Sequence, residues 1–289
     1  MPEHWQFPVL EPLFTDALAV ELVEQARGAR KPRAFDTRLR FSDAGRCARQ
    51  IAYDALGVVP AAWDPASIHV AAVGTFYHEL LQAAILRRYP GAEIEVKGRL
   101  PGLSNSGHAD VRAPADAISA VVSNWGGGDV LYELKTKSTY QFDTACGVMR
   151  KGWKRGDPKG PGLEVILQAG LNAIANDCQT VVVGYVCFEN YSVGLAEKVG
   201  LRQMDRFLAE WHIPVEVWRP LADDEIRRLE TVLATIDADH LPERHAYDDA
   251  GDITILEPEA QKPPWQCQYC SFRTQCEADG PGIVEVFAE

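Results

Sequence analysis

The chain lacks any apolar run of membrane-spanning length, so its sequence gives no expectation of a helix crossing a bilayer. Its first residues, Met1-Pro2-Glu3-His4-Trp5, carry neither a basic nor an apolar stretch. No secretory signal is read there, and a cytoplasmic protein is expected. Nor is there a G-x-x-x-x-G-K-[ST] phosphate loop, which excludes a recognisable ATP motor, so any helicase must be a separate partner. Internal repeats and low-complexity tracts are absent, which leaves out solenoids and disordered tracts. Positive charge is scarce: 29 Lys and Arg face 41 Asp and Glu, a net charge of −12. That excludes a uniformly basic nucleic-acid-binding face but not local basic segments.

Two such segments exist. Between Arg27 and Arg40, six cations (Arg27, Arg30, Lys31, Arg33, Arg38 and Arg40) meet one acid, Asp36. Arg150-Lys151-Gly152-Trp153-Lys154-Arg155 sets an aromatic ring among cations. Either can be no more than a solvated surface stretch. A Trp between cations also suits a loop that grips a nucleic-acid strand, because bases stack on the ring while phosphates meet the charges.

At 289 residues, 46% hydrophobic and 24% charged, the chain has the composition of a globular protein able to bury a full core. Seven cysteines are an odd number for a disulfide framework. Cys146, Cys178 and Cys187 stand apart and read as small buried hydrophobes. Cys47 lies alone near one end, whereas Cys267, Cys270 and Cys276 follow a C-x2-C-x5-C spacing near the other. In a reducing compartment this pattern reads as a four-thiolate metal site, closed only if the two ends meet.

Periodicity places helices over Thr15–Ala26, from an N-cap at Ser42 to just before Gly57, and over Asp64–Arg88. Strands are expected over Glu93–Leu100, Gly107–Ala113, Ala117–Ser123 and Asp129–Lys137, with a helix over Ser138–Met149. Leu163–Asp177 follows as a helix and Thr180–Glu189 as a buried strand. An edge strand is expected over Trp211–Trp218, then a helix over Asp223–Ile236. From Asp237 to Pro264 a long acidic and proline-rich connection delivers the cysteines. Interleaved helices and strands predict an α/β sandwich.

Within the strand Asp129–Lys137, Glu133 and Lys135 must face the same way, because side chains alternate. Asp110 is delivered by an earlier strand, just after Gly107, whose small size permits close approach to a neighbour. Asp110 and Glu133 together make a suitable cage for a hard divalent cation, Mg2+ or Mn2+. Lys135 beside it can orient or deprotonate a water, or neutralise charge on a phosphate. The E-x-K pattern alone is weak: Glu95-Val96-Lys97 repeats it, without an acidic strand residue at a suitable distance before it. His78 shares one helical face with Gly74 and Gln82, and a lone helical His is more often structural than a ligand.

The order G-x-x-x-H, an Asp in a strand, E-x-K and then Gln168 on a following helix resembles the RecB-like branch of the PD-(D/E)XK nuclease superfamily. The divided cysteines resemble its iron-sulfur members, which include CRISPR-associated exonucleases and nuclease domains of bacterial recombination complexes. The resemblance spans about Ser42 to Cys276. It implies a restriction-endonuclease-like core, a central mixed sheet flanked by helices, within one nuclease domain spanning 1–289. That domain divides into a core at 64–239 and an iron-sulfur clasp from 41–62 and 263–280. It also implies a [4Fe-4S] cluster on Cys47, Cys267, Cys270 and Cys276, and Mg2+ or Mn2+ held by His78, Asp110, Glu133 and the carbonyl of Leu134. Asp110, Glu133 and Lys135 would be catalytic, and Gln168, with the basic loop Arg150, Lys151, Trp153, Lys154 and Arg155, would contact DNA. The substrate implied is single-stranded DNA cut as by an exonuclease, in recombination, repair or CRISPR-type processing. The family's aromatic four residues after the glutamine is replaced by Asn172, which weakens a DNA-contact role for that helix. His108 shares a strand face with Asp110 and is at most a supporting residue. Two rivals stand beside this expectation: a non-catalytic DNA-end-binding adaptor with the same fold, and a zinc protein, since four thiolates suit Zn2+ equally.

Overall fold

Five strands between Glu93 and Ile213, with Leu39–Arg40 added beside them, build a six-stranded mixed sheet. The computed structural model describes residues 39–61, 65–101, 103, 105–121, 127–149, 154–155, 158–188, 208–248, 252–257 and 264–285. The expected helix over Thr15–Ala26, most of the basic stretch after Arg27, and Arg150, Lys151 and Trp153 lie outside these residues. The sheet path is β1 (Leu39–Arg40), β3 (Asn105–Ala113), β4 (Val130–Lys137), β7 (Thr180–Cys187) and β8 (Leu208–Ile213), with β2 (Glu93–Gly98) also paired to β3. β4 and β7 run parallel over their full lengths, from Val130↔Thr180 to Lys137↔Cys187, and the β2–β3, β3–β4 and β7–β8 pairs are antiparallel. β7 is buried from Val181 to Cys187, the continuous apolar pattern of a central strand covered on both faces. Two short hairpins, β5 (Val148–Met149) with β6 (Lys154–Arg155) and β10 (His245–Tyr247) with β11 (Ile253–Ile255), lie outside the sheet, as does β9 (His240–Leu241) paired with β12 (Val284–Glu285).

The helices are α1 (Ala48–Ala55), α2 (Pro65–Arg88), α3 (Ala115–Ser119), α4 (Thr139–Cys146), α5 (Leu163–Ala175), α6 (Val215–Asp237), α7 (Trp265–Gln268) and α8 (Arg273–Asp279). On one face of the sheet Leu131, Val181, Val183 and Tyr185 pack with Val165, Ala169 and Ala173 of α5 and with Trp218 and Ala222 of α6. On the other, Val111, Val130 and Val182 pack with Ile85 and Tyr89 at the end of α2. A third core joins α1, α5 and α6 to Phe272 near the C-terminus. Leu131 packs on one face of β4 and Val130 on the other, and Glu133 and Lys135 follow Leu131 on the face towards α5.

Several expectations need correction. No strand forms over 117–121, the described part of the expected strand Ala117–Ser123: Pro114 caps the short helix α3 with φ −58°, and Ala117 and Ile118 bury its inner side. Ser42 is not an N-cap but lies in a 3-10 turn, Phe41–Asp43, whose Asp43 carboxylate accepts the Arg40 N–H at 2.7 Å. α1 begins later because Gly45 takes φ +75°, so Cys47 occupies the N-cap position and not an early turn. The edge strand ends at Ile213, since Pro214 lacks the N–H a ladder needs and instead opens α6 at Val215, eight residues before the expected start. The acidic connection is not featureless, because it forms β9 and the β10–β11 hairpin.

Gly107 shows why a small residue precedes Asp110. A Cβ there would lie 2.1 Å from Phe41 Cδ2 and 2.8 Å from Phe41 Cβ, and Phe41 is wholly buried. Gly107→Ala must displace that ring, and a loss of about 2 kcal/mol is expected in urea unfolding. Unchanged stability would show that β1 and the turn after it do not press on β3 as described.

Candidate active site and cysteine clasp

The sheet opens where the charged residues lie. The β3–β4 ladder runs through Arg112↔Leu131 and stops at Val111↔Tyr132, so the next pair in register, Asp110 and Glu133, is left unzipped. On the other side of β3 the ladder includes Ile94↔Val111 and Val96↔Ala109 but skips Glu95 and Asp110, where Glu95 adopts φ +50°. Such a conformation is costly for a residue with a side chain and persists where surroundings enforce it. Asp110 therefore stands in a fork of the sheet with its ladder contacts interrupted on both sides.

Side chains replace the missing contacts. The Leu134 N–H donates to Asp110 Oδ2 at 2.6 Å. From α2, Gln82 Nε2 donates to the Asp110 carbonyl at 3.1 Å and to Glu95 Oε1 at 2.7 Å. One turn earlier on the same helix, His78 Nδ1 lies 3.5 Å from Asp110 Oδ1, a contact that holds the imidazole above its ordinary pKa despite burial. One further turn back, Gly74 lets α2 approach the sheet: a Cβ there would meet Thr136 Oγ1 at 3.1 Å. The shared face of Gly74, His78 and Gln82 is thus the face that meets the fork.

Glu133 is fully buried, and three donors converge on it. Lys135 Nζ donates to Oε1 at 2.7 Å, Gln168 Nε2 to the same oxygen at 2.6 Å, and Asn172 Nδ2 to Oε2 at 3.3 Å. Lys135 also donates to Gln168 Oε1 at 3.1 Å. Burial pushes the Glu133 carboxyl up to about 7, with the Lys135 charge pulling it down and the Asp110 charge adding to the rise. Burial disfavours the Lys135 charge too, but the Glu133 carboxylate more than offsets it and the ammonium is held above its usual range.

The helix α5 supplies more than the sequence suggested. Asn172, one turn after Gln168, points to Glu133 and also donates to the His108 carbonyl at 3.3 Å. Both partners are acceptors, which fixes the amide orientation and leaves Asn172 Oδ1 buried with no hydrogen-bond partner among the described residues. His108 contributes only that carbonyl, since its side chain is exposed. Glu95, set aside on sequence as a chance motif, stands opposite Asp110. The i, i+4 spacing of Gln168 and Asn172 was the available signal for Asn172; for Glu95 no local signal exists, because its place depends on strand register.

A carboxylate at Asp110, an imidazole at His78 and a second carboxylate at Glu133 form an oxygen-rich set suited to Mg2+ or Mn2+. Asp110 Oδ1 and Glu133 Oε2 are the less engaged oxygens, the latter with only the long bond from Asn172. These two oxygens are the donors a hydrated cation would take, so the chemistry of the residues fits one. As they stand, no three His, Cys, Asp or Glu side chains among the described residues are grouped around one point as metal ligands. Glu133 is turned to Lys135 and Gln168, and Asp110 to the Leu134 amide.

The four divided cysteines line one pocket, although no three of them are grouped tightly enough to hold one ion as they stand. Cys47, at the start of α1, and Cys267, Cys270 and Cys276 line one pocket together with Gln50, Tyr53, Arg244, Leu256, Gln266 and Arg273. Burial raises all four thiol pKa values, that of Cys267 to about 11, and the charges of the other three raise Cys267 further. Four thiols lining one pocket are a donor type that, once deprotonated, would suit a metal or iron-sulfur centre. Protein contacts also tie these segments. Arg49, wholly buried on α1, donates to the carbonyls of Pro242 at 2.9 Å, Gly280 at 2.7 Å and Gly282. Tyr53 donates to Asp279 at 2.6 Å and packs on Phe272 with ring centroids 5.5 Å apart. Arg49→Met leaves three carbonyls without their donor, and a loss of about 3 kcal/mol is expected in chemical denaturation. A change under 1 kcal/mol would contradict the role given to this guanidinium.

Lys154 and Arg155 form the short strand β6. The four cysteines of the clasp and the Asp110, Glu133, Lys135 and Gln168 group are separate assemblies: the first joins α1 to the C-terminal helices, the second lies between the sheet and α2 and α5. Among the described residues no helix is long and apolar enough to cross a membrane. No family model matches the chain, and no curated protein does. Among solved structures it is similar to one titled "Crystal structure of SSO0001", at 17% sequence identity over 93% of this chain and 98% of that one, with a TM-score of 0.43.

Proposed function

We propose that the protein is a metal-dependent DNA nuclease, with a restriction-endonuclease-like core and a [4Fe-4S] cluster on Cys47, Cys267, Cys270 and Cys276. The observation that carries the proposal is the fork itself: Asp110 and Glu133 face one another at an interrupted ladder, with Lys135 2.7 Å from Glu133 and Gln168 reaching both. A structural ion pair would need none of the interrupted pairing around it. The sequence resemblance to RecB-like PD-(D/E)XK nucleases agrees with the same residues in the same order.

In the reaction proposed, a water adds to phosphorus, the bond to the leaving oxygen breaks, and the water's proton passes to solvent or to that oxygen. The products are a phosphate monoester and an alcohol. Mg2+ or Mn2+, held by Asp110, Glu133, His78 and the Leu134 carbonyl, would polarise the phosphate and lower the pKa of a bound water. Lys135, an ammonium with more than one donor, is placed to orient the water or to neutralise charge growing on the phosphate. Gln168 keeps Lys135 and Glu133 in mutual register, and Asn172 holds the second Glu133 oxygen. His78 orients Asp110 from α2. The cluster has no part in this chemistry: it joins α1 to the C-terminal segment beside the core.

Single-stranded DNA, attacked from an end, is the substrate proposed. Anaerobically purified protein with Mg2+ or Mn2+ is expected to shorten end-labelled linear single strands and to spare closed circles. Cleavage of neither, with either ion, overturns the proposal in favour of the non-catalytic DNA-end-binding adaptor. The colour of the same preparation separates the cluster from zinc, because an iron-sulfur protein is brown and a zinc protein colourless.

A further inference from the structure

Beyond Lys135, β4 carries a second lysine on the same face. Lys137 lies two residues on, about 6.6 Å further along the strand. Its ammonium sits 4.9 Å from the centroid of the Tyr185 ring, on the neighbouring strand β7. Tyr185 is buried and held in place: its hydroxyl accepts the Gly162 N–H at 2.9 Å, and Trp211 packs edge-on at 5.1 Å. The ring supports the cation without using its N–H donors. No carboxylate among the described residues is within ion-pair distance of Lys137. Its charge is disfavoured by burial and by Lys135, and Glu164 only partly compensates. An anion arriving there relieves a cost already present in the free protein.

Glu133, Lys135 and Lys137 form a row along one strand, running from the fork towards the end of the sheet at α4. Lys135 is engaged by Glu133 and Gln168, whereas no acid among the described residues forms an ion pair with Lys137. A single nucleic-acid strand with one phosphate at the fork presents its next phosphate at a comparable distance. We propose that Lys137 binds the backbone phosphate adjoining the one hydrolysed, making the site a reader of at least two consecutive phosphates. This inference rests on the hydrolase function proposed for the fork.

The test compares two phosphodiesters under single-site kinetics. One is a single-stranded oligodeoxythymidylate; the other is bis(p-nitrophenyl) phosphate, which has no neighbouring phosphate. For Lys137→Ala, KM on the oligonucleotide is expected to rise about tenfold relative to any change on bis(p-nitrophenyl) phosphate. The slope of log KM against log salt should fall by about 1, and Lys137→Arg should restore most of the affinity. Replacing the adjoining linkage with a neutral methylphosphonate should abolish the difference between native and Lys137→Ala protein. Equal losses on both substrates assign Lys137 a structural role and overturn the inference, as does an unchanged oligonucleotide KM. Native protein that hydrolyses neither substrate overturns the function proposed for the fork, and this inference with it.

Discussion

Lys135→Ala is expected to reduce single-turnover cleavage of single-stranded DNA by about 10^3-fold or more, with the iron content of the protein unchanged. Two effects combine. The ammonium proposed to face the reacting phosphate is removed, and Glu133 loses the charge that counters the rise burial imposes on its carboxyl. With only Gln168 and Asn172 left as donors, Glu133 is drawn towards its neutral form and becomes a poorer cation ligand. Glu133→Ala should lose activity to a similar extent by removing the ligand outright. The two losses should not add in the double variant, because each disables one unit. Activity within tenfold of native in either single variant contradicts the roles given to this pair.

Cys270→Ala acts elsewhere and is expected to lower stability instead. Its thiol lies in the pocket shared with Cys47, Cys267 and Cys276, and the centre proposed there would connect α1 to α7 and α8. Loss of one ligand should release the iron, bleach the protein and cost about 4 kcal/mol, a fall in Tm of about 8 °C. Arg49, Tyr53 and the Ala61 N–H bond to the Ser271 carbonyl at 2.8 Å still tie the segment, so the variant should unfold at lower temperature without being unfolded at 25 °C. A Cys270→Ala protein that retained its colour and its Tm would remove the cluster from the account.

Much of the fold is visible in the sequence where local signals are strong. The helices at Pro65–Arg88 and Leu163–Ala175 and the strands at Glu93–Gly98, Val130–Lys137 and Thr180–Cys187 follow from apolar period and flanking breakers. Elements whose limits depend on one backbone feature were misplaced. Pro214 starts a helix where a strand was expected, Pro114 caps a helix in place of another strand, and Gly45 delays α1.

At the site, alternation sufficed to pair Glu133 with Lys135, and spacing sufficed to suggest that the cysteines meet. The fork itself was not legible. It arises because two ladders lapse at the same residue, Asp110, one through the φ +50° of Glu95 and one through the end of the β3–β4 register. Both depend on register between strands distant in sequence. Asn172 and Lys137 gain their meaning only when α5 and β7 are placed around β4.

The most direct test of the central claim is the rate of single-stranded DNA cleavage as a function of Mn2+ concentration, for native protein and for Asp110→Asn. Native protein should show no cleavage in chelator and a saturable rise with the ion. Asp110→Asn should show less than one hundredth of that rate at every concentration. Cleavage that persists in chelator, or an Asp110→Asn protein with native rate and native Mn2+ dependence, would contradict the assignment of the fork as the metal-dependent centre.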